Sequence, residues 1–222
     1  MPLKQRVNID EKTQILIWHI EESLEVLKKN LKLSKADEIR FQNRKIISHQ
    51  KQFMATRRLL MEAGLSPETL YHDPYGIPLL ESGQQLSISH TKNLAGIALG
   101  NKPIGIDLEI FRPKIERIAT RFLHDQESFA LQGKGIIEKL TLIWTAKEAL
   151  YKALKKKGII FSEQLIVAPF EWGDPRGHAK VLISDKTLNF SLNFIIEKAY
   201  CCLLYTSPSP RDATLSRMPS SA

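Results

Sequence analysis

The chain has few cysteines, and none stands in a pattern that binds metal or builds a disulfide framework. Its 222 residues contain only the adjacent pair Cys201 and Cys202. Long apolar runs are also missing, and the first residues lack the apolar core of a signal peptide. These absences argue against a zinc module, a disulfide scaffold and a transmembrane protein. We therefore expect a cytosolic protein that makes no membrane contact.

Acidic residues are outnumbered by basic ones, 24 against 32, which gives a formal net charge of +8. Such an excess favours acidic partners: nucleic acid, a polyphosphate ligand or an acidic protein. No signature of a nucleic-acid-binding module accompanies the charge, so nucleic acid is not the leading choice. Hydrophobic residues make up 43% of the chain, which is enough for one sizeable domain or two small ones.

The first part of the chain is predicted to be helical. Apolar residues between about 12 and 32 recur broadly at helical spacing. A capping sequence at Ser34 predicts a second helix, and a longer third helix should stop near Gly64. The second helix is expected to carry three basic residues, which either are solvated or bind a phosphate: Arg40, Arg44 and Lys45.

A strand pair is predicted after a stretch rich in turn residues. Residues 86–91 alternate between apolar and polar side chains, as a half-buried strand does, and residues 94–99 return as its hairpin partner. Ser89 and His90 lie at the end of the first strand. A lone histidine in such a place is more often structural than catalytic.

Two carboxylates share one face of the next predicted strand, residues 104–109. Side chains alternate along a strand, so Asp107 and Glu109 point the same way. Like charges this close repel unless water screens them or a cation lies between them. Ligands that offer only oxygen favour magnesium over zinc. The strand is therefore either an exposed edge or half of a magnesium site.

A third carboxylate comes from a predicted helix over residues 135–155. Trp144, Glu148 and Lys152 are spaced four residues apart and share one face of this helix. Glu148 can ligate a metal while Lys152 contacts a phosphate. The alternative is an ordinary exposed ion pair that stabilises the helix by a few tenths of a kcal/mol.

The remaining sequence predicts the domain boundaries. Residues 100–103 separate an N-terminal half, 1–102, from a C-terminal half, 103–204, which carries the metal site. The C-terminal half should add a helix over about 115–131 and several short strands. Residues 205–222 are rich in serine and proline without any period, so we predict a disordered or non-native tail.

Together these motifs resemble those of the 4′-phosphopantetheinyl transferases. The resemblance is to the longer, monomeric class and covers about residues 35 to 195. It implies an α/β (α+β) fold of two similar subdomains related by a pseudo-twofold axis, with coenzyme A in the cleft between them. The motifs that carry it are Ser89-His90, Gly105-x-Asp107-x-Glu109 and Trp144-x-x-Lys147-Glu148-x-x-x-Lys152.

The resemblance also implies roles for individual residues. Glu148 and Lys152 would act in catalysis, and a further acidic position of uncertain role falls on Glu127. One departure is Ile77, where a lysine is common. The magnesium ligands would be Asp107, Glu109 and Glu148. The cofactor-binding residues would be Arg40, Lys45, Ser89, His90, Asp107, Lys147 and Lys152.

The implied activity is transfer of 4′-phosphopantetheine from coenzyme A to a serine of an acidic apo acyl or peptidyl carrier protein. The reaction would depend on Mg²⁺ and be of the holo-acyl-carrier-protein synthase type. An alternative is a magnesium-dependent nuclease or phosphohydrolase, which also gathers carboxylates around a metal. A basic nucleic-acid-binding module is a second alternative, which explains the charge but not the carboxylates.

Overall fold

The structure is a computed structural model that describes residues 3–183, 186–198 and 200–206. The protein is a mixed α+β fold in which all strand pairs are antiparallel over these residues. Within them, no helix is long and apolar enough to cross a membrane. The strands are β1 Leu3–Asp10, β2 Thr13–His19, β3 Leu70–His72, β4 Pro78–Leu80, β5 Gln85–Thr91, β6 Leu94–Gly100, β7 Ile104–Ile110, β8 Leu165–Val167, β9 Arg176–Ile183, β10 Lys186–Ile196 and β11 Tyr200–Thr206. The helices are α1 Leu24–Lys28, α2 Lys35–Gln42, α3 Ile47–Glu62, α4 Ile136–Leu154 and α5 Phe161–Gln164, with 3₁₀ segments at Pro67–Thr69, Pro113–Arg121 and Asp125–Leu131.

Two larger sheets organise these elements, and one long helix packs on each. The first sheet has the strand order β1-β2-β6-β5 and contacts α3. The second has the order β7-β11-β10-β9-β8 and contacts α4. The mixed α+β class predicted from the sequence is therefore confirmed, while the pseudo-twofold relation between the halves stays a prediction.

Serine side chains join the two sheets along their edges. Strand β5 is the edge of the first sheet and β7 the edge of the second. Ser87 Oγ accepts a hydrogen bond from the Ile106 amide at 3.0 Å, and Ser89 Oγ accepts one from the Leu108 amide at 3.2 Å. Because an edge strand otherwise leaves such amides without a partner, the serines fix β5 beside β7. This junction holds Asp107 against the N-terminal half.

The predicted helix over about 12–32 is wrong in its first part, where β2 lies. Ile15 and Ile17 enter the core that joins the two sheets, whereas Leu16 and Trp18 enter the core beneath α3. Both faces of this strand are buried, so its apolar run is continuous rather than alternating. Periodicity alone does not distinguish such a strand from a buried helix. Only the short α1 is helical in this range.

Two other predicted helices have different limits in the structure. Helix α2 begins as predicted, because Ser34 Oγ accepts a hydrogen bond from the Asp37 amide at 3.2 Å. It ends at Gln42, so Arg44 and Lys45 follow the helix instead of belonging to it. The predicted helix over 115–131 is wrong in type, since this stretch forms two 3₁₀ segments with an interruption between them. Helices α3 and α4 and the predicted strands are confirmed.

The last strand, β11, extends two residues into the predicted tail. It pairs with β7 through Thr206, which lies opposite Ile104. The boundary predicted at residue 205 is therefore too early, because backbone pairing continues where side-chain composition already resembles a tail. Residues 207–222, the rest of that predicted tail, lie outside the described residues.

Gly105 allows β7 and α4 to approach each other closely. A Cβ atom at this position would lie 1.9 Å from the Ala149 carbonyl oxygen, far inside van der Waals contact. Any other residue would therefore push the helix away from the strand. The missing side chain brings the helix face of Glu148 and Lys152 over Asp107.

Candidate active site

A cleft with a volume of about 620 Å³ lies between α2, α3 and β5 on one side and the end of α4 on the other. Its lining is strongly basic, and no aspartate or glutamate of the described residues contributes to it. Such a surface attracts a polyanionic ligand. The basic lining residues are Arg40, Arg44, Arg57, His72, His90, Lys152, Lys155, Lys156 and Lys157.

The arginine wall, formed by Arg40, Arg44 and Arg57, is partly built into the fold. Arg57 is buried and donates two hydrogen bonds of 2.8 Å to the carboxylate of Asp37. Its guanidinium lies 3.6 Å from the centroid of the Phe53 ring, and that of Arg44 lies 4.3 Å from the same centroid. Planar stacking of this kind fixes a guanidinium more firmly than a lysine ammonium is fixed. The wall therefore presents an ordered set of positive charges.

Two histidines in the cleft have pKa values that are lowered by burial and by nearby positive charges. Burial, together with the charges of Arg40 and Arg57, lowers the pKa of His72 to about 4. Burial, followed by the charge of Lys152, lowers the pKa of His90. Both imidazoles are therefore neutral near pH 7 in the free protein. An anion that neutralised the cleft would raise both pKa values.

Asp107 is the centre of the carboxylate cluster. Its Oδ1 atom accepts a hydrogen bond from Ser89 Oγ at 2.8 Å and another from Lys152 Nζ at 2.7 Å. Its Oδ2 atom is buried and has no hydrogen-bond partner among the described residues. A buried carboxylate oxygen without a partner is costly, and ligand binding is one reason for keeping it. Asp107 therefore has one oxygen committed to the fold and one oxygen available.

The other two carboxylates lie close enough to Asp107 for its negative charge to raise their pKa values. Burial, and then repulsion from Asp107, raises the pKa of Glu109, to which the Trp144 and Thr91 side chains hydrogen-bond. Burial and repulsion from Asp107 also raise the pKa of Glu148, while Lys152 lowers it. Strand β7 and helix α4 thus bring together the three carboxylates predicted from the sequence. A cation between them would remove this repulsion.

The carboxylates do not form a ready-made ligand cage. Among the described residues, no group of three or more His, Cys, Asp or Glu side chains is arranged to hold a metal ion. Lys152 supplies a positive charge beside Asp107 instead. The donor set still fits magnesium, because it consists of carboxylate oxygens and includes the unpartnered Oδ2 atom.

The structure separates the other predicted cofactor-binding residues into two groups. Arg40 and His90 line the cleft, and their binding of a cofactor stays a prediction. Ser89 of β5 is 6% exposed, and its hydroxyl reaches β7, where it donates to Asp107 and accepts from the Leu108 amide. It is not among the described residues that line the cleft. Lys45 is exposed and also lies outside that lining.

Lys147 is not available to a cofactor in this structure. It is fully buried, and its ammonium donates to the Phe122 carbonyl, to Glu127 Oε2 and to the Phe161 carbonyl at 2.6, 2.6 and 3.0 Å. An ammonium has three donors, so all are used. Glu127 also accepts hydrogen bonds from the amides of His124 and Val167. The pair therefore connects α4 to the neighbouring segments, and its role is structural.

Some residues of the cleft were not predicted from the sequence. His72 comes from a short strand that carries no motif. The lysines at 155–157 were interpreted only as the end of a helix, although three consecutive positive charges could also have indicated an anion-binding site. Lys157 Nζ lies 4.0 Å from the centroid of the Tyr75 ring, near Ile77, where the resemblance leads one to expect a lysine.

Comparison with known proteins gives two matches. Residues 103–204 match the family model described as the 4′-phosphopantetheinyl transferase superfamily. The 4′-phosphopantetheinyl transferase gsp of Aneurinibacillus migulanus is 33% identical over 85 residues. This alignment spans 37% of the chain and only 36% of the length of that relative. Both matches agree with the resemblance seen in the motifs.

Proposed function

We propose that the chain transfers 4′-phosphopantetheine from coenzyme A to a serine of an apo carrier protein, because residues 103–204 match the model of the 4′-phosphopantetheinyl transferase superfamily. The observation that carries the proposal is the Oδ2 atom of Asp107, which is buried near a basic cleft and has no hydrogen-bond partner among the residues that the structure describes. The charge of Asp107 raises the pKa of both Glu109 and Glu148, so the three carboxylates are near one another. Lys152 lines the cleft and donates a hydrogen bond to the other oxygen of Asp107, Oδ1.

The cleft suits the polyphosphate end of coenzyme A. Its volume of about 620 Å³ lies within the range of small-molecule sites, and its lining is basic on two sides. Arg40, Arg44 and Lys152 would bind phosphate oxygens there, since guanidinium and ammonium groups form charge-assisted hydrogen bonds. These contacts would hold the pyrophosphate of the cofactor near Asp107.

Magnesium would be held by Asp107, Glu109 and Glu148, and when bound it would neutralise the pyrophosphate and the leaving adenosine 3′,5′-bisphosphate. Lys152 donates a hydrogen bond to the Asp107 carboxylate, so its ammonium would lie near a phosphate bound beside Asp107. Glu127 and Lys147 take no direct part, but they fix the register of α4 that carries Glu148 and Lys152.

The reaction also needs a base for the carrier serine. The serine oxygen forms a new bond to the phosphorus of the pantetheine-bearing phosphate, and the bond from that phosphorus to the leaving phosphate breaks. Glu148 accepts the serine proton, directly or through a water molecule. Burial and the charge of Asp107 raise the pKa of Glu148 in the metal-free protein, and a bound cation would lower it again. Phosphoryl-type transfer needs charge neutralisation and positioning more than covalent help, which agrees with this site.

The carrier protein is expected to be acidic, because the chain has a net charge of +8. Opposite charges accelerate association and orient the partners. The positive charge predicts a negatively charged partner, but it does not distinguish between types of carrier protein. The holo-acyl-carrier-protein synthase type remains the proposed class.

The proposal is tested by incubating the protein with coenzyme A, Mg²⁺ and a purified apo carrier protein, followed by intact mass spectrometry of the carrier. We expect a mass gain of one phosphopantetheine, and no gain when Mg²⁺ is chelated. Asp107→Asn should abolish most of the gain. No modification across fatty-acid, polyketide and peptide-synthetase carriers would reject the proposal, and hydrolysis of coenzyme A without carrier modification would support the phosphohydrolase alternative.

A further inference from the structure

Strand β5 presents a row of three buried hydroxyl groups to strand β7. Ser87, Ser89 and Thr91 alternate along β5 and therefore share one of its faces. The first hydroxyl accepts a hydrogen bond from a β7 amide, and the second accepts from the next such amide and donates to Asp107 Oδ1. The third, Thr91 Oγ1, donates to Glu109 Oε2 at 3.5 Å. The row therefore begins by joining the two sheets and ends by contacting the carboxylates.

The turn that follows Thr91 is held from two sides by the N-terminal half. Gln52, a buried residue of α3, donates from Nε2 to the Lys92 carbonyl oxygen at 2.9 Å. The Ile20 amide donates to the Asn93 carbonyl oxygen at 2.7 Å. A two-residue turn of this kind determines the register of the strands that it joins. Because both turn carbonyls are bonded, the hydroxyl of Thr91 is held in a defined position relative to β7.

The carboxylate of Glu109 keeps a freedom that its backbone does not remove. Pairing with Cys201 of β11 fixes the main chain of Glu109, but its side chain has several rotatable bonds, and ordering them costs entropy. The hydroxyl of Thr91 and the side chain of Trp144 both hydrogen-bond this carboxylate. The distance of 3.5 Å from Thr91 is long, as hydrogen bonds in unliganded catalytic sites often are before a ligand draws the groups together.

We propose that Thr91 is a positioning residue whose hydroxyl orients the carboxylate of Glu109 for binding a cation beside Asp107. The proposed ligands Asp107, Glu109 and Glu148 all belong to the C-terminal half, whereas Thr91 and Gln52 belong to the N-terminal half. The N-terminal half therefore strengthens cation binding without supplying a ligand. Carboxylates that bind metals are commonly held by such hydrogen bonds, whose removal lowers metal affinity about 10- to 100-fold. The inference rests on the proposed function, because it takes Mg²⁺ as the cation.

The test measures Mg²⁺ binding by isothermal titration calorimetry at saturating coenzyme A, corrected for Mg²⁺ binding by coenzyme A alone. No carrier protein is present, so no turnover occurs. Thr91→Val keeps the shape of the side chain but removes the hydroxyl, and it should bind Mg²⁺ about ten-fold more weakly. Thr91→Ser keeps the hydroxyl and should bind Mg²⁺ within about two-fold of the unmodified protein. Unchanged affinity in Thr91→Val, or an equal loss in both variants, would overturn the proposal.

Thr141→Val is the matched control for removing a buried hydroxyl. Thr141 is buried, and its hydroxyl donates to the Ile137 carbonyl oxygen within α4 at 2.7 Å. This variant should leave Mg²⁺ affinity unchanged, and a loss equal to that of Thr91→Val would overturn the specific role of Thr91. Melting temperatures without ligand establish that each variant is folded. If Thr91→Val is unfolded, Thr91→Ala replaces it, since alanine removes the hydroxyl without adding a methyl group in its place.

Gln52→Met tests whether the turn transmits the effect to Glu109. Methionine has nearly the volume of glutamine but cannot donate to the Lys92 carbonyl. The single variant should bind Mg²⁺ about three-fold more weakly, and Gln52→Met/Thr91→Val should bind it no more weakly than Thr91→Val alone, because Gln52 acts through Thr91. Losses that multiply, or no loss in the single variant, would overturn the part assigned to Gln52 and the turn.

The same titrations distinguish failure of this inference from failure of the proposed function. If the unmodified protein does not bind Mg²⁺ in the presence of coenzyme A, the proposed function fails and the inference fails with it. If it binds Mg²⁺ and Thr91→Val binds it equally well, only the inference fails.

Discussion

Helix α4 carries two lysines that pair with carboxylates in opposite ways. Lys147 and Glu127 are 0% exposed, and the lysine uses all three of its donors. Lys152 and Asp107 are 29% and 8% exposed in their side chains, and Asp107 keeps one oxygen without a partner among the described residues. We call the fully hydrogen-bonded pair Lys147–Glu127 the closed pair and the pair Lys152–Asp107, which keeps an oxygen available, the open pair. The two lysines are only five residues apart on one helix.

The difference shows how one element serves both fold and site. A buried ion pair is tolerated when further hydrogen bonds satisfy its remaining atoms, as the backbone contacts of Lys147 and Glu127 do. The open pair lacks such contacts at Asp107 Oδ2 and lies beside two further carboxylates. We therefore assign the closed pair to stability and the open pair to ligand binding.

Breaking the closed pair should have the largest effect on stability. Glu127→Gln or Lys147→Met leaves one buried partner without its counterpart and should cost about 3–5 kcal/mol in the free energy of unfolding. Urea denaturation would measure this cost. The double variant should lose less than the sum of the single losses, because it leaves neither charge alone. A loss below about 1 kcal/mol in both single variants would show that the pair is not structural.

The positive charge of the cleft should affect how the free energy of unfolding depends on pH. His72 has a pKa of about 4 in the folded protein, against 6.5 as its ordinary value. Its contribution is fully present above pH 6.5 and is lost as the pH falls toward 4, because only the unfolded state binds the proton in that window. The loss is at most about 3 kcal/mol.

The matched variant is His72→Gln, which keeps a polar side chain but does not titrate in this range. The difference in unfolding free energy between the two proteins should therefore change between pH 7.5 and pH 5. Burial lowers the pKa of His72 most, the charges of Arg40, Arg57 and Arg44 lower it further, and Asp37 raises it. Parallel stability curves for the two proteins would contradict the account of the cleft charge.

Separating β7 from α4 should damage the open pair more than the closed one. Gly105→Ala places a methyl group against the Ala149 carbonyl oxygen and should cost about 1–3 kcal/mol through forced displacement. Because Lys152 and Glu148 would move away from Asp107, transferase activity should fall further than stability predicts. Activity equal to that of the unmodified protein at a temperature where both are folded would contradict this role for Gly105.

The sequence predicted which carboxylates lie near one another better than it predicted the edges of the fold, while their role as a functional site stays a prediction. Asp107, Glu109, Glu148 and Lys152 are brought together because strand and helix periodicity, together with motif order, determine which face each occupies. The strand at Thr13–His19 was missed because burial on both faces hides alternation.

Residues whose role depends on distant partners were the hardest to assign. The burial of Lys147 depends on Glu127 and two carbonyls that are 14 to 25 positions away in the chain. No local pattern around Lys147 indicates those contacts. The pairing of Arg57 with Asp37, 20 positions away, is of the same kind.

The assignment of the open pair to ligand binding is tested most directly by the thermal shift of Asp107→Asn. Asparagine keeps an oxygen that can accept from Ser89 and Lys152, so the unliganded variant should unfold within about 1 kcal/mol of the unmodified protein. Adding Mg²⁺ and coenzyme A should stabilise the unmodified protein, because a ligand that binds the native state raises its stability. The variant should lose that stabilisation, whereas a full ligand-induced shift in Asp107→Asn would contradict the assignment.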